Sequence, residues 1–188
     1  MLSAGNLYVA LIHHQVKNKQ GDVVTTAITN LDLHDIARTS RTYGVGGYYV
    51  VNPMAAQREL AGRILSHWIT GFGSEYNPNR GEALSVIRVV AGLSDAVAEI
   101  TERHGRPPVI VATAAKRQEG AAGFLAIRGL IAEGGPVVLA FGTGWGLTDE
   151  FLGSCGFVLE PIETGSGYNH LPVRAAAAIM LDRLLSDR

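Results

Sequence analysis

Three segments of this 188-residue chain place glycine or other small and polar residues directly after apolar runs. They are residues 113–115 (TAA), 141–147 (FGTGWGL) and 161–171 (PIETGSGYNHL). Ligands bind open parallel sheets at the carboxyl ends of strands, and glycine lets the backbone approach a ligand where a Cβ atom would block contact. We expect the two glycine loops to follow adjacent strands and to form a cleft of backbone amide and carbonyl groups. Such a cleft suits an adenine edge and a ribose better than a triphosphate.

The common phosphate-binding motifs are absent from the sequence. Neither G-x-x-x-x-G-K-[ST] nor a G-x-G-x-x-G after the first apolar run occurs. Glycine-rich turns after strands are usually structural. On the glycines alone, a structural role and a binding role therefore both remain open.

Basic residues are the second candidate for chemistry, because they can contact phosphate groups. The net charge is -1, but twelve of the 16 Lys and Arg residues lie between residues 17 and 117, so an RNA site is expected in the first two thirds of the chain. Lys17, Lys19, Arg38 and Arg41 form a candidate phosphate-contacting group. The alternative is that both lysines lie in a solvated loop and that Arg38 pairs with Asp35 on a helix surface, which spacing alone favours.

Histidine and cysteine do not indicate a metal site. His13 and His14 are adjacent at the end of a predicted strand, so their side chains point to opposite faces. With one cysteine, Cys155, and no His-x-x-x-His spacing, we predict no metal. A single cysteine excludes an internal disulfide, and neither a signal peptide nor an apolar run of membrane-spanning length is present. We therefore expect a cytoplasmic protein.

Apolar runs alternating with helical patterns predict one α/β domain over residues 1–188. The predicted strands are residues 7–12, 47–51, 109–112, 136–141 and 157–162, with a short extended segment at 23–28. The first helix is predicted from Asn30 or Asp32 to about Tyr43, with Gly44 as its C-cap. The other helices are predicted at residues 53–70, 82–104, 120–132, 148–154 and 171–185. This alternation predicts a mostly parallel sheet with helices on both faces.

Three segments together resemble the SPOUT methyltransferases. Residues 32–51 (DLHDIARTSRTYGVGGYYVV) are similar to the first motif of that family, in which an Arg, here Arg38, precedes a Gly-Val and a strand. FGTGWGL is similar to the second motif, and residues 161–185 (PIETGSGYNHLPVRAAAAIMLDRLL) to the third. The motifs occur in the family's order and cover most of the chain. The nearest resemblance is to the bacterial subgroup sometimes fused to the tRNA guanine-N1 methyltransferase.

The resemblance implies a C-terminal trefoil knot, S-adenosylmethionine as cofactor, and an RNA substrate, with tRNA expected and a ribose 2′-hydroxyl as the candidate acceptor. It implies that Arg38 is catalytic and that Lys17, Lys19 and Arg41 contact RNA. It also implies a homodimer through the C-terminal helix. The cofactor-binding residues it implies are Thr113, Ala114, Phe141, Gly142, Thr143, Gly144, Trp145, Gly146, Pro161, Ile162, Gly167, Tyr168, Asn169, His170 and Leu171.

Two departures from the family pattern leave the methyl-accepting atom open. Asp32 stands where the family often has an Asn, six residues before Arg38. The last loop reads YNHLPVR over residues 168–174, where ribose methylases commonly have Ser-Leu-Asn before a Ser. A module that binds S-adenosylmethionine or RNA without catalysis is the alternative function. An unrelated nucleotide-binding α/β protein is the third possibility.

Overall fold

The computed structural model describes residues 4–186, and most of its strands coincide with the apolar runs of the sequence. The strands are β1 (Leu7–Ile12), β2 (His14–Lys17), β3 (Val23–Thr25), β4 (Gly47–Val51), β5 (Ile87–Val90), β6 (Val109–Thr113), β7 (Val137–Gly142) and β8 (Phe157–Leu159). The helices are α1 (Asn30–Tyr43), α2 (Ala55–Ile69), α3 (Phe72–Tyr76), α4 (Pro78–Leu84), α5 (Leu93–His104), α6 (Phe124–Ala132), α7 (Asp149–Ser154) and α8 (Val173–Leu185). None of the helices in this part of the chain is long and apolar enough to cross a bilayer.

Six of the strands described between residues 4 and 186 form one parallel sheet, in the order β5-β4-β1-β7-β6-β8. β1 lies near the centre, and all six of its residues are buried. A parallel strand covered on both faces must be apolar along its whole length. This explains why LYVALI is a continuous apolar run rather than an alternating one.

Alternate residues of β1 face two halves of the core. Leu7 and Leu11 belong to a cluster that includes residues of α1, α6 and α8. Tyr8 and Ile12 belong to a second cluster, which includes residues of α5 and α7. Successive side chains of a strand point to opposite faces of the sheet. The predicted α/β fold, with helices on both faces of a parallel sheet, is therefore confirmed.

The helix predicted over residues 82–104 is wrong, because this segment contains an edge strand. α4 ends at Leu84, β5 pairs with β4 so that Val89 lies opposite Val50, and α5 begins after Gly92. The apolar spacing of the segment fits a helix, but the adjacent valines of β5 also suit a strand. Pairing with the exposed edge of β4 decides between the two.

Several predicted ends also move by a few residues. The N-cap of α1 is Thr29 rather than Asn30 or Asp32, because the Thr29 hydroxyl accepts a hydrogen bond from the Asp32 amide at 3.1 Å. Gly44 closes the same helix in the left-handed conformation, with φ 67°, as predicted.

β8 is shorter than predicted and α6 begins later than predicted. The Glu160 amide leaves the sheet and donates to the carbonyl of Ala122 at 2.9 Å. Pro161, the next residue, has no amide to donate. Residues 120–123 are therefore held beside the end of β8, and α6 starts at Phe124.

Two insertions follow the carboxyl ends of β1 and β4. β2 and β3 form an antiparallel hairpin after β1. Helices α2 to α4 lie between β4 and β5, and Trp68 joins them to α1. Its ring meets the His34 ring edge-on at 5.6 Å, and the Arg80 guanidinium lies 4.5 Å from its centroid.

Candidate functional site

The three segments singled out in the sequence follow neighbouring strands and lie at the carboxyl end of the parallel sheet. Residues 113–115 follow β6, residues 142–147 follow β7, and residues 160–172 follow β8. The expectation that the two glycine loops follow adjacent strands is wrong, because β6 pairs with both β7 and β8 and lies between them. The TAA segment therefore occupies the middle of the cleft, with a glycine loop on each side.

Two side-chain hydrogen bonds tie the middle segment to its neighbours. The Thr113 hydroxyl donates to the Ala140 carbonyl of β7 at 3.0 Å. The Asn169 side-chain amide donates to the Ala115 carbonyl. No hydrogen bond among the described residues joins the loop after β7 directly to the loop after β8. The middle segment is thus bonded to strand β7 on one side and to the loop after β8 on the other.

The loop after β7 folds back on itself in a way that favours glycine at positions 142, 144 and 146. The Gly146 amide donates to the Thr143 carbonyl at 3.0 Å. A Cβ atom on Gly142 would lie 2.7 Å from the Leu147 amide nitrogen. Gly144 and Gly146 have φ values of 59° and 97°, in the region that favours glycine. This shape makes the loop a backbone surface, as the sequence predicted.

The β2–β3 hairpin holds this loop from one side, which the sequence analysis missed. The Lys17 amide donates to the Gly146 carbonyl at 2.8 Å, and the Trp145 amide donates back to the Lys17 carbonyl at 2.9 Å. The Thr148 amide donates to the Gln15 carbonyl at 2.9 Å. These are backbone bonds, so no side-chain pattern announces them. The Gly21-Asp22 turn signals the hairpin but not its partner.

The residues implied for cofactor binding differ in whether they offer a ligand their backbone or their side chain. The side chains of Phe141, Pro161 and Ile162 are buried, so these residues offer a ligand mainly backbone. Trp145 is 58% exposed and Tyr168 is 71% exposed. The remaining implied loop residues at the surface are Gly144, Gly167, His170 and Leu171. A ligand in the cleft would therefore meet backbone at its base and aromatic side chains at its rim.

Arg38 lies on the exposed face of α1, in an open groove of about 540 Å³ between α1 and α8. The alternative pairing with Asp35 is wrong, because Asp35 is paired with Arg174 at 3.3 Å. The Arg174 guanidinium also lies 3.7 Å from Asp32. Within residues 4–186 the Arg38 guanidinium makes no ion pair. Its charge is nevertheless felt locally: the pKa of His34 is lowered first by burial and then by the charges of Arg80 and Arg38.

The residues implied for RNA contact do not form one cluster. Lys17 lies on the hairpin and pairs with Asp149 at 2.9 Å. Lys19 is exposed near the hairpin turn. Arg41 pairs with Glu82 at 2.5 Å. It lies in the last turn of α1, which leads to the amino end of β4 and so to the opposite end of the sheet from the cleft. Among the described residues, no group of three or more His, Cys, Asp or Glu is arranged to hold a metal.

A buried polar network lies behind the loop that follows β7. His13 is completely buried at the end of β1, and its Nδ1 lies 3.0 Å from the Thr26 hydroxyl. That hydroxyl lies 2.5 Å from the Thr143 hydroxyl, and the Asn52 side chain donates to the Thr26 carbonyl at 3.1 Å. Burial lowers the pKa of His13 to about 4, and the negative charge of Asp32 only partly opposes this. The imidazole is therefore neutral at physiological pH.

Comparison with known sequences identifies relatives over nearly the whole chain. A family model described as SAM-dependent RNA methyltransferase matches residues 6–186. The tRNA (guanine-N(1)-)-methyltransferase of Oleidesulfovibrio alaskensis is 46% identical over 182 residues, which are 97% of this chain but 42% of that protein. The corresponding protein of Nitratidesulfovibrio vulgaris is 48% identical, with the same coverage. This chain thus spans less than half the length of these two relatives. An uncharacterised protein of Aquifex aeolicus is 35% identical over 96% of this chain and 89% of its own length.

Solved structures share the fold at low sequence identity. A putative methylase family protein from Neisseria gonorrhoeae superposes with a TM-score of 0.65 at 17% identity, over 97% of this chain and 83% of that one. The SpoU methyltransferase AviRb from Streptomyces viridochromogenes, solved in complex with AdoMet, gives a TM-score of 0.57 at 17% identity, over 95% of this chain and 56% of that one. The sheet and its covering helices are therefore arranged as in these two solved structures.

Replacing Gly144 with alanine should weaken the contact between the loop and the hairpin. A Cβ atom there would lie 2.9 Å from the Lys17 carbonyl oxygen. Gly105, with φ 69° and open space around it, is the matched control. Both substitutions carry left-handed strain of about 1–2 kcal/mol, and Gly144→Ala should cost about 1–3 kcal/mol more through the clash. Urea unfolding gives the costs, and amide exchange at Trp145 reports the loop. Equal costs with unchanged exchange would contradict this packing.

The low pKa of His13 in the folded protein should make the protein less stable in mild acid. Between pH 6.5 and about pH 4 the unfolded chain binds a proton at this residue that the folded chain does not. Stability from this group is thus fully present above pH 6.5 and is lost as the pH falls, by at most about 3 kcal/mol. Unfolding measured across this range should show a flatter acid limb for His13→Asn, with the exposed His14→Asn as control. An unchanged acid limb in His13→Asn would refute the assignment.

Proposed function

This chain belongs to the S-adenosylmethionine-dependent RNA methyltransferase family, and we propose that it transfers a methyl group from S-adenosylmethionine to tRNA in the cytoplasm. The observation that carries the proposal is the cleft at the carboxyl ends of β7, β6 and β8, where a backbone-lined glycine loop stands beside the TAA segment. tRNA is favoured because relatives 46% and 48% identical to this chain are tRNA (guanine-N(1)-)-methyltransferases.

The cleft fits the cofactor because its base is made of backbone rather than of charged side chains. Thr113, Ala114 and residues 142–146 would contact the adenosine through amides and carbonyls, together with the backbone of Pro161 and Ile162. Residues 167–171 would close the pocket. The cofactor supplies an electrophilic methyl group. The protein supplies a closely packed loop, in which a Cβ atom on Gly142 would collide with the Leu147 amide.

We propose Arg38 as the catalytic residue and a ribose 2′-hydroxyl as the acceptor. A guanidinium does not act as a base at its ordinary pKa, but its charge stabilises a developing oxyanion and can hold a neighbouring phosphate. Asp35, the nearest acidic residue on the same helix, is occupied by Arg174 at 3.3 Å. The charge of Arg38 is therefore available to a substrate. Lys17, Lys19 and Arg41 are proposed as additional RNA contacts.

A trefoil knot and a homodimer belong to the same proposal. The hydrogen bond from Asn169 to the Ala115 carbonyl supports the knot, because it ties the last loop to the loop after β6. The groove between α1 and α8 supports the dimer, because Ala175 and Ala178 line it and small residues allow a second copy to approach closely. The groove also contains Arg38, so a partner seated there would meet the proposed catalytic side chain. A monomeric mass by sedimentation would contradict the dimer.

Calorimetric titration with S-adenosylmethionine is the first test of the function. We expect saturable binding of this ligand and none of NAD or ATP, because the chain lacks phosphate-binding glycine motifs. Incubation of the same protein with methyl-labelled cofactor and a tRNA pool should then label RNA. Binding without transfer would favour a binding module, and a preference for NAD or ATP would favour an unrelated nucleotide-binding protein.

Arg38→Ala should reduce methyl transfer while sparing cofactor binding. Loss of one preorganised charge opposite a developing oxyanion typically costs about 10²- to 10³-fold in rate. Arg63, exposed on α2, is the matched control for removing a surface arginine from a helix. Single-turnover transfer rates and the cofactor Kd are the two readouts. Loss of binding together with transfer, or equal effects of Arg38→Ala and Arg63→Ala, would refute the catalytic role.

A further inference from the structure

His13 lies at the carboxyl end of β1, where the end of β4, the hairpin and the glycine loop after β7 come together. Its amide donates to the Val51 carbonyl at the end of β4, at 3.0 Å. Its carbonyl accepts from the Thr26 amide, just after β3, at 2.8 Å. The preceding residue, Ile12, accepts from the amide of Thr143 at 3.3 Å. The imidazole is therefore enclosed by the ends of β1 and β4, the strand of the hairpin, and the start of the glycine loop.

The hydrogen bonds fix which nitrogen of His13 carries its proton. The Thr143 hydroxyl lies 3.1 Å from the Ile12 carbonyl, which can only accept, so its one proton points there. The Thr26 hydroxyl must then donate to the Thr143 oxygen across 2.5 Å. Since the Thr26 proton is thus used, the His13 Nδ1 donates to the Thr26 oxygen. All three bonds form together only in this direction, with the proton on Nδ1.

This chain of donors runs in one direction from β1 to the glycine loop and back to β1. Each member also makes a backbone hydrogen bond. The His13 amide donates to the Val51 carbonyl, the Thr26 carbonyl accepts from the Asn52 side chain, and the Thr143 amide donates to the Ile12 carbonyl. Thr143 is the first residue after β7, so its position sets where residues 143–146 begin. A displacement of Thr143 would be transmitted to the whole backbone surface of that loop.

We propose that His13 is a positioning residue for the cofactor-binding loop, which it holds in place through the hydroxyls of Thr26 and Thr143. The inference rests on the proposed function, because it assigns a role in binding S-adenosylmethionine. His13 is completely buried behind the loop. Its Nδ1 acts on the loop, and its Nε2 has no hydrogen-bond partner among the described residues.

Two substitutions of His13 separate this role from simple core packing. An asparagine places its side-chain amide near the position of Nδ1, so His13→Asn should keep the donor to Thr26. A glutamine places its amide nearer Nε2, so His13→Gln should lose that donor. We expect His13→Asn to bind S-adenosylmethionine like the wild type and His13→Gln to bind about tenfold more weakly. A packing role would instead make affinity follow the unfolding midpoint, which is measured in parallel.

Thr26 provides the second arm of the test, independent of whether a His13 variant folds. Thr26→Val removes the hydroxyl at nearly constant volume and should weaken binding about tenfold, whereas Thr26→Ser should restore it. Because the two residues act in one chain, Thr26→Val combined with His13→Gln should cost no more than either change alone. The effect should appear in the KM for the cofactor, with kcat at saturation retained.

The outcomes distinguish this inference from the function on which it rests. A wild-type protein that binds no S-adenosylmethionine overturns the proposed function and this role together. Wild-type binding with unchanged affinity in His13→Gln and Thr26→Val overturns the role of His13 alone. Equal losses in His13→Asn and His13→Gln, or additive losses in the double variant, would also overturn it. The role is supported if His13→Asn and Thr26→Ser bind S-adenosylmethionine like the wild type while His13→Gln and Thr26→Val bind it more weakly.

Discussion

The parallel pairing of β1 with β7 is the constraint on which the site depends. Its register sets Ile12 opposite Gly142, so the hairpin after β1 and the glycine loop after β7 leave the sheet at the same level. Because both segments start together, their backbones can pair further out, from Lys17 to Gly146. The pairing itself is held by burial, since every residue of β1 is inaccessible to water. A cleft built in this way requires few specific side chains.

This dependence on backbone explains what the sequence can and cannot predict. Most strands are predictable because burial on both faces demands continuous apolar runs, as in LYVALI. β5 is not, because Val89 and Val90 fit the spacing of a helix as well as that of an edge strand. The backbone hydrogen bonds between the hairpin and the loop cannot be predicted from the sequence, because almost any residue can form main-chain hydrogen bonds. The position of β6 between β7 and β8 is equally hidden, because it depends on strand order.

The two departures from the family pattern prove to be neighbours in space. Asp32 replaces the usual asparagine of the first motif, and Arg174 lies in the divergent part of the third. The guanidinium of Arg174 contacts Asp32 at 3.7 Å and Asp35 at 3.3 Å. A cluster of one arginine and two aspartates thus connects the two motifs. Arg174 contacts both carboxylates, and among the described residues Arg38 makes no ion pair, although Asp35 lines the same groove. The contact joins segments that lie far apart in the sequence, so neither motif reveals it alone.

The polar groups behind the glycine loop show a complementary distribution of charge. S-adenosylmethionine carries a positive sulfonium centre, and like charges close together in a protein repel each other more strongly than they do in bulk water. A cationic support beneath the loop would therefore oppose the ligand that the loop is proposed to bind. Burial keeps His13 neutral, with a pKa of about 4, and the two threonines that complete the chain are uncharged. A neutral histidine can still donate through Nδ1, so the loop is held by directed hydrogen bonds without adding positive charge. Positive charge lies instead on α1, where Arg38, the proposed catalytic residue, lines the groove between α1 and α8.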